Sequence, residues 1–255
     1  MTGADRSAEV TARLRAAGCI AAEEEAAALL AARPGPDVLE GWLRRREDGE
    51  PLAWIVGTTT FGGRPRRVDP GVYVPRPQSE ELAHRAAAAL PAGGRLLDLG
   101  TGSGAVAAVV ADRVPGAVVV GVDRSAAAVR CARANGVAAV HADLAAAPVR
   151  PRSIDVVVAV APYVPTDALR LLPPDVQRHE PRLALDGGAD GLDLVRSVAR
   201  TAAAALRPGG WLLVEVGGDQ DRALVPTLAA LGFAPATPWP DADGDLRGLA
   251  TRLGR

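Results

Sequence analysis

Lysine is absent from this 255-residue chain, so each of its 29 basic side chains is an arginine. Alanine, valine, glycine and proline are correspondingly heavy, the mark of a GC-rich coding bias, and no functional meaning attaches to the missing lysine. An excess of either charge is missing too: 29 basic residues stand against 30 acidic ones, for a net charge of −1. Such a balance leaves no electrostatic footprint for a nucleic-acid duplex or an anionic membrane. Cysteine is scarce. Cys19 and Cys131 lie far apart, with no C-x-x-C pair and no companion His cluster, so neither a disulfide framework nor a metal site is expected. Both read as free thiols that fill small apolar gaps on helices. No apolar run approaches the ~20 residues of a bilayer crossing. The start, Met1-Thr2-Gly3-Ala4-Asp5-Arg6, carries no signal-peptide pattern. The expectation is a cytoplasmic protein, long enough for one α/β domain with a full core and a small extension.

Three stretches differ in pattern. Residues 1–50 read as a small helical module: Leu14, Ala17 and Cys19-Ile20 lead to Glu23-Glu24-Glu25, Pro34-Gly35-Pro36 break the pattern, and Val38-Leu39-Trp42-Leu43 resumes it. Residues 51–78 read as a linking β-hairpin, with strands at Trp54–Gly57 and Val72–Val74 and turns at Gly62-Gly63 and Asp69-Pro70-Gly71. Residues 79–255 open with a helix from Ser79-Glu80-Glu81 to about Leu90 and then alternate. Strands are predicted at Leu96–Leu99, Val118–Val122, Ala138–His141, Ile154–Val160 and Leu212–Val216 with helices between them, which means a parallel sheet covered on both faces. Phe233 to Trp239 and Leu246 to Leu253 flank Asp241-Ala242-Asp243-Gly244-Asp245 as a terminal hairpin, expected to supply an antiparallel edge strand.

The chemistry concentrates where strands end. Asp98-Leu99-Gly100-Thr101-Gly102-Ser103-Gly104 joins an apolar strand to the apolar helix start Ala105–Ala111. Glycines in that context let the backbone approach a ligand closely. Gly102 to Ala107 also satisfies G-x-G-x-x-A, the dinucleotide pattern, but Asp98 would repel a pyrophosphate. A carboxylate there suits a ligand bearing an ammonium group and a sulfonium, which is S-adenosylmethionine. Asp123 closes the second strand, where a carboxylate hydrogen-bonds ribose hydroxyls, or where Asp123-Arg124-Ser125 caps the next helix. Asp143, followed by Leu144, closes the third strand and reads either as an acceptor for an adenine amino group or as an exposed strand-end residue. Val160-Ala161-Pro162-Tyr163 follows the fourth strand. Pro162 fixes the turn, and Tyr163 lays its ring on a planar substrate group or is simply a partly buried aromatic.

Taken together in order, these segments resemble the HemK-like family of protein-glutamine N(5)-methyltransferases, which methylate the Gly-Gly-Gln glutamine of peptide-chain release factors. The resemblance runs nearly the whole length. Leu14–Ile20 with Glu25-Ala26 and Leu29-Leu30 is similar to the family's first helices, and Glu50–Gly57 with Phe61 to its linker. Val74-Pro75-Arg76-Pro77-Gln78-Ser79-Glu80 is similar to a segment close to I-P-R-P-E-T-E, and Asp98–Gly104 to the cofactor loop. Glu180-Pro181-Arg182-Leu183-Ala184-Leu185, with Gly187-Gly188 and Asp190-Gly191-Leu192-Asp193, is similar to a late loop and helix. The resemblance implies a doubly wound, seven-stranded, mostly parallel sheet of the S-adenosylmethionine methyltransferase type. It also implies substrate contacts at Arg76, Pro77 and Glu180, and a protein substrate.

Three departures matter. The family's N-P-P-Y stands here as Val160-Ala161-Pro162-Tyr163. An amide nitrogen is a poor nucleophile because its lone pair is delocalised, and in the family the Asn side chain and the following carbonyl accept its N–H groups and orient it. Val160 has no side-chain acceptor, and losing one such contact costs on the order of a hundred- to a thousandfold in rate. The joint at Arg33–Pro36 leaves little room for a longer helical domain, and Gln78 replaces an acidic residue. A diverged paralogue is therefore expected, acting on a glutamine amide. The alternatives are a methyltransferase re-tuned to another protein or small-molecule nucleophile, and a weakened protein that only binds cofactor.

Overall fold

The computed structural model describes residues 3–254. Three helices come first: α1 (Gly3–Ala16), α2 (Ala22–Ala31) and α3 (Pro36–Glu47). Pro36 opens α3, where its missing N–H has no helical partner to lose. Val10, Leu14, Ala26, Leu29, Leu39 and Leu43 pack with Ile55 into a core of their own. Arg46 on α3 and Glu25 on α2 form an ion pair at 2.6 Å with both side chains largely buried, which fixes the angle between those helices.

The next segment corrects the expectation of strands at Trp54–Gly57 and Val72–Val74. Residues 54–56 lie in a single-turn helix, α4 (Leu52–Val56), bracketed by Pro51 and by Gly57 in the left-handed conformation at φ +82°. A short apolar run does not by itself distinguish strand from helix. Here Ile55 joins the helical core, while Trp54 packs on Val68 and donates its indole N–H to the Val72 carbonyl at 2.9 Å. The hairpin is instead β1 (Thr58–Phe61) and β2 (Arg64–Arg67), turning at Gly62-Gly63. Most of its residues are polar and exposed, so no apolar alternation announces it.

A 3-10 turn at Pro77–Ser79 leads into α5 (Glu80–Ala89). The alternating part follows as β3 (Arg95–Leu99), α6 (Ala105–Arg113), β4 (Val118–Asp123), α7 (Ala126–Ala134), β5 (Ala138–His141) and β6 (Ile154–Ala159). It continues through α8 (Pro174–His179), α9 (Asp193–Ala205), β7 (Leu206–Glu215), α10 (Gln220–Ala230), β8 (Thr237–Pro240) and β9 (Leu246–Arg252). These seven strands form one sheet in the order β5-β4-β3-β6-β7-β9-β8, with β3 to β7 parallel and β9 antiparallel to both neighbours. The doubly wound fold is as expected, with one correction. The antiparallel strand is not the edge. β9 inserts beside β7, where Leu249 is fully buried, and β8 takes the edge because its Pro238 and Pro240 cannot serve a central ladder.

Residues alternate cleanly across the sheet. Val157, Ala159, Leu212 and Val214 face α9 and α10, whereas Val156, Val158 and Leu213 face α5 and α6. Strand order reverses at β3, between β4 on one side and β6 on the other, so the crevice for a ligand lies outside the carboxyl ends of these strands. No helix among the described residues is long and apolar enough to cross a membrane.

Candidate active site

Gly100, Gly102 and Gly104 all sit at positive φ, +78°, +56° and +78°, and wrap the chain from β3 into α6. The amides of Gly100 and Thr101 both donate to the Val122 carbonyl, at 2.8 and 3.0 Å, which pins this loop to the end of β4. A side chain at Gly102 would meet no protein atom within 4 Å, so that position faces open space in the cleft. Gly104 plays a different part. A Cβ there would stand 3.0 Å from Ala132 and Val137, and its lack of a side chain lets α7 pack close.

Asp98 lies beneath the loop, almost fully buried, and accepts a hydrogen bond from the Thr101 hydroxyl at 2.7 Å. Burial pushes its carboxyl up to about 7; the Thr101 bond opposes this and the Asp123 charge reinforces it. Asp123 ties two segments together: one carboxylate oxygen accepts the Gly102 amide at 2.9 Å, the other the Ser125 amide at 2.8 Å. Capping of α7 falls to Ser125, which accepts from Ala128. Asp143 is exposed and turns its own backbone, accepting the Ala145 amide at 2.8 Å, while Leu144 beside it is buried.

Around these groups opens a cleft of about 1110 Å³, lined by Asp98, Gly100 to Ser103, Asp123, Asp143, Leu144, Val160 and Pro162. A second hollow of about 2180 Å³ lies between the amino-terminal helices and the sheet edge, reaching Cys19, Arg46, Arg76, Ala161, Tyr163 and Glu215. Tyr73, Ser79, Val160, Pro162 and Ala184 line both, so the two spaces meet at the carboxyl end of β6.

Tyr163 is held by its main chain: its carbonyl accepts from the Gln220 side chain at 2.9 Å, which also binds the Asp190 carbonyl at 3.1 Å. Burial, with Glu215 nearby, raises the Tyr163 hydroxyl above its ordinary range. The Arg76 guanidinium stacks on the Tyr73 ring at 5.0 Å and pairs with the Glu180 carboxylate. Burial raises the Glu180 carboxyl, with Arg76 opposing. Of these three, Tyr73 and Arg76 line the second hollow and Glu180 lies behind them.

The sequence-derived candidates thus divide. Asp98, Gly100, Thr101, Gly102, Ser103, Asp123, Asp143, Leu144, Val160, Ala161, Pro162, Tyr163 and Arg76 line one space or the other. Gly104, Pro77 and Glu180 line neither: Gly104 packs against Ala132 and Val137, Pro77 is exposed at the head of its 3-10 turn, and Glu180 is buried in its pair with Arg76. One residue escaped notice: Glu215, buried at the end of β7 and lining the second hollow. Its signal was legible. It is a carboxylate set between apolar residues just before Gly217-Gly218, as Asp98 is before its own glycines.

Comparison with known proteins gives this geometry its setting. The methyltransferase domain pattern matches residues 96–178. The chain is 37% identical over 277 residues to the release factor glutamine methyltransferase of Cereibacter sphaeroides, covering 99% of each. It is 37% identical over 219 residues to that of Geobacter sulfurreducens, covering 84% of this chain and 77% of the relative. In fold it is similar to the E. cuniculi Mtq2–Trm112 complex responsible for methylation of the eRF1 translation termination factor. That likeness has a TM-score of 0.53 at 21% identity, covering 72% of this chain and 99% of that one. The chain is an S-adenosylmethionine-dependent methyltransferase and belongs to the release factor glutamine methyltransferase family.

Proposed function

We propose that this enzyme transfers methyl to the side-chain amide nitrogen of a glutamine in a release-factor-like protein. The observation that carries the reading is the meeting of the two spaces at Val160 and Pro162. One is ringed by the carboxylates of Asp98, Asp123 and Asp143; the other opens beneath the amino-terminal helices.

The first space fits the cofactor on its own chemistry. Asp98 offers a buried carboxylate to an ammonium group, and the open face at Gly102 admits a ligand against the backbone. Asp123 retains lone pairs for ribose hydroxyls, Asp143 offers an acceptor to the adenine amino group, and Leu144 supplies an apolar wall. When bound, the cofactor supplies a methyl group made electrophilic by a sulfonium. The protein's share is then placement of a nitrogen in line, which needs geometry more than a strong base. Tyr163 and Pro162 flank the planar amide and the Ala161 carbonyl accepts one of its N–H groups.

The amino-terminal helices, with Arg76 on the wall below them, form the surface that receives the protein. A labelled-methyl assay on purified release factor, with mass spectrometry of the modified peptide, tests the assignment. Label on a single glutamine is expected. Cofactor binding with no label on any release-factor glutamine would overturn the substrate and leave a methyltransferase re-tuned to another nucleophile or a weakened protein that only binds cofactor; the apolar Val160 favours the first.

A further inference from the structure

The glutamine reading leaves one chemical demand unmet: a side-chain acceptor where Val160 has none. The sheet register locates a replacement. In the parallel ladder of β6 and β7, Val158 pairs with Leu213 and Ala159 with Val214. Carried one step further, that register sets Val160 beside Glu215. Paired residues on parallel strands point to the same face, and Val158 and Leu213 both face α5. Val160 and Glu215 therefore stand on one face at the carboxyl edge, one strand spacing of roughly 4.8 Å apart. Both line the second hollow together with Ser79 and Tyr163.

We infer that Glu215 is a catalytic residue, its carboxylate accepting the substrate amide N–H across from the Ala161 carbonyl and taking the proton that methylation displaces. This rests on the glutamine reading above. On transfer, the nitrogen lone pair forms the new N–C bond and the C–S bond breaks with its electron pair left on sulfur. The N–H proton passes to the Glu215 carboxylate, which returns it to water. No oxidant or further reactant is needed.

The surroundings suit a group that must change protonation. The Ser79 hydroxyl binds Glu215 from the 3-10 turn, and Arg247 faces it from β9, itself paired with Asp241 at 2.6 Å. Tyr163 faces it from the loop after β6 and Tyr73, under Arg76, from the segment before the turn. None of these neighbours is a second carboxylate in direct contact. Burial outweighs Ser79 and Arg247 and pushes Glu215 up to about 7, so it gains and loses a proton near neutrality.

Four forms separate this from a structural role: the natural protein, Glu215→Gln, Glu215→Ala and Val160→Asn/Glu215→Ala. The natural protein, Glu215→Gln and Glu215→Ala should bind S-adenosylhomocysteine alike, because Glu215 does not line the cofactor cleft; Val160 does, so the double variant is assayed at saturating cofactor. With release factor, kcat of the natural protein should rise with pH through about 7. Glu215→Gln should lose that rise, and Glu215→Ala should fall on the order of a hundredfold, most of it recovered by the added Asn. A rate in Glu215→Ala equal to the natural one, or failure of Asn to rescue it, overturns the proposal. A second arm needs no turnover: calorimetry of a Gly-Gly-Gln peptide on the S-adenosylhomocysteine complex. Binding at least tenfold weaker in Glu215→Ala supports the acceptor even if release factor proves not to be a substrate, in which case only the glutamine-protein assignment falls. Equal affinity in both, no binding to either included, overturns the role of Glu215.

Discussion

Asp98→Asn should make the protein sturdier at alkaline pH and useless for cofactor binding. The ordinary carboxyl value is 3.8 and burial carries Asp98 to about 7. At 1.36 kcal/mol per pH unit the difference is about 4 kcal/mol. Because the folded-state value lies above the unfolded one, the protonated carboxyl favours the fold fully below about pH 4. That contribution disappears as pH rises through about 7, where the buried group ionises. Asn cannot ionise. It keeps an acceptor for the Thr101 hydroxyl but buries an amide N–H₂ at a cost of about 1–3 kcal/mol. The variant should therefore be about 1–3 kcal/mol less stable than the natural protein at pH 4 and about 1–3 kcal/mol more stable at pH 8. Denaturant midpoints of both cofactor-free proteins, taken from pH 4 to 8, read the swing directly, since other titrations cancel in the comparison. At pH 8, calorimetry with S-adenosylmethionine should show a loss of affinity of a hundredfold or more, the effect of removing one partner from a buried charge pair. Parallel stability profiles would show that Asp98 ionises normally. An unchanged affinity would show that no ammonium group meets it, and either result refutes the reasoning.

Three further substitutions separate binding from packing. Gly102→Val should abolish cofactor binding in calorimetry, because its side chain would enter the open cleft from a left-handed backbone. Gly104→Ala should lower stability by about 1–3 kcal/mol in thermal unfolding while the folded fraction binds cofactor normally, since its Cβ would press on Ala132 and Val137. Asp123→Asn should weaken S-adenosylmethionine about tenfold or more, and S-adenosylhomocysteine by the same factor, because both carry the same ribose; unequal losses would place Asp123 away from it.

How much of this was legible depended on whether burial left a periodic trace. The parallel strands did, since β6 is apolar at five of its six positions and buried throughout, and the glycines of residues 100–104 marked the loop above them. The β1–β2 hairpin left none: Thr-Thr-Thr-Phe and Arg-Pro-Arg-Arg gain their order from the Gly62-Gly63 turn and from Phe61, the one fully buried residue among them. Trp54 drew the eye to the wrong element because its partner, the Val72 carbonyl, lies 18 residues away. Glu215 was legible as a carboxylate just before two glycines, but its place beside Val160 was not. Its neighbour Val160 directly follows β6, and only the register between β6 and β7, carried one step past Ala159 and Val214, brings the two side by side.

The prolines of β8 have a consequence for the outer boundary of the sheet. Strand residues alternate in the direction of their N–H groups, and Thr237 and Trp239 share one direction while Pro238 and Pro240 share the other. Only the first pair can donate inward to β9, so the outward positions are both occupied by residues with no N–H to offer. That rim presents carbonyls alone, and an extended segment from another molecule finds no donors on which to build an eighth strand. The chemistry at the carboxyl edge is thus carried by a sheet that is sealed along one side against templated growth.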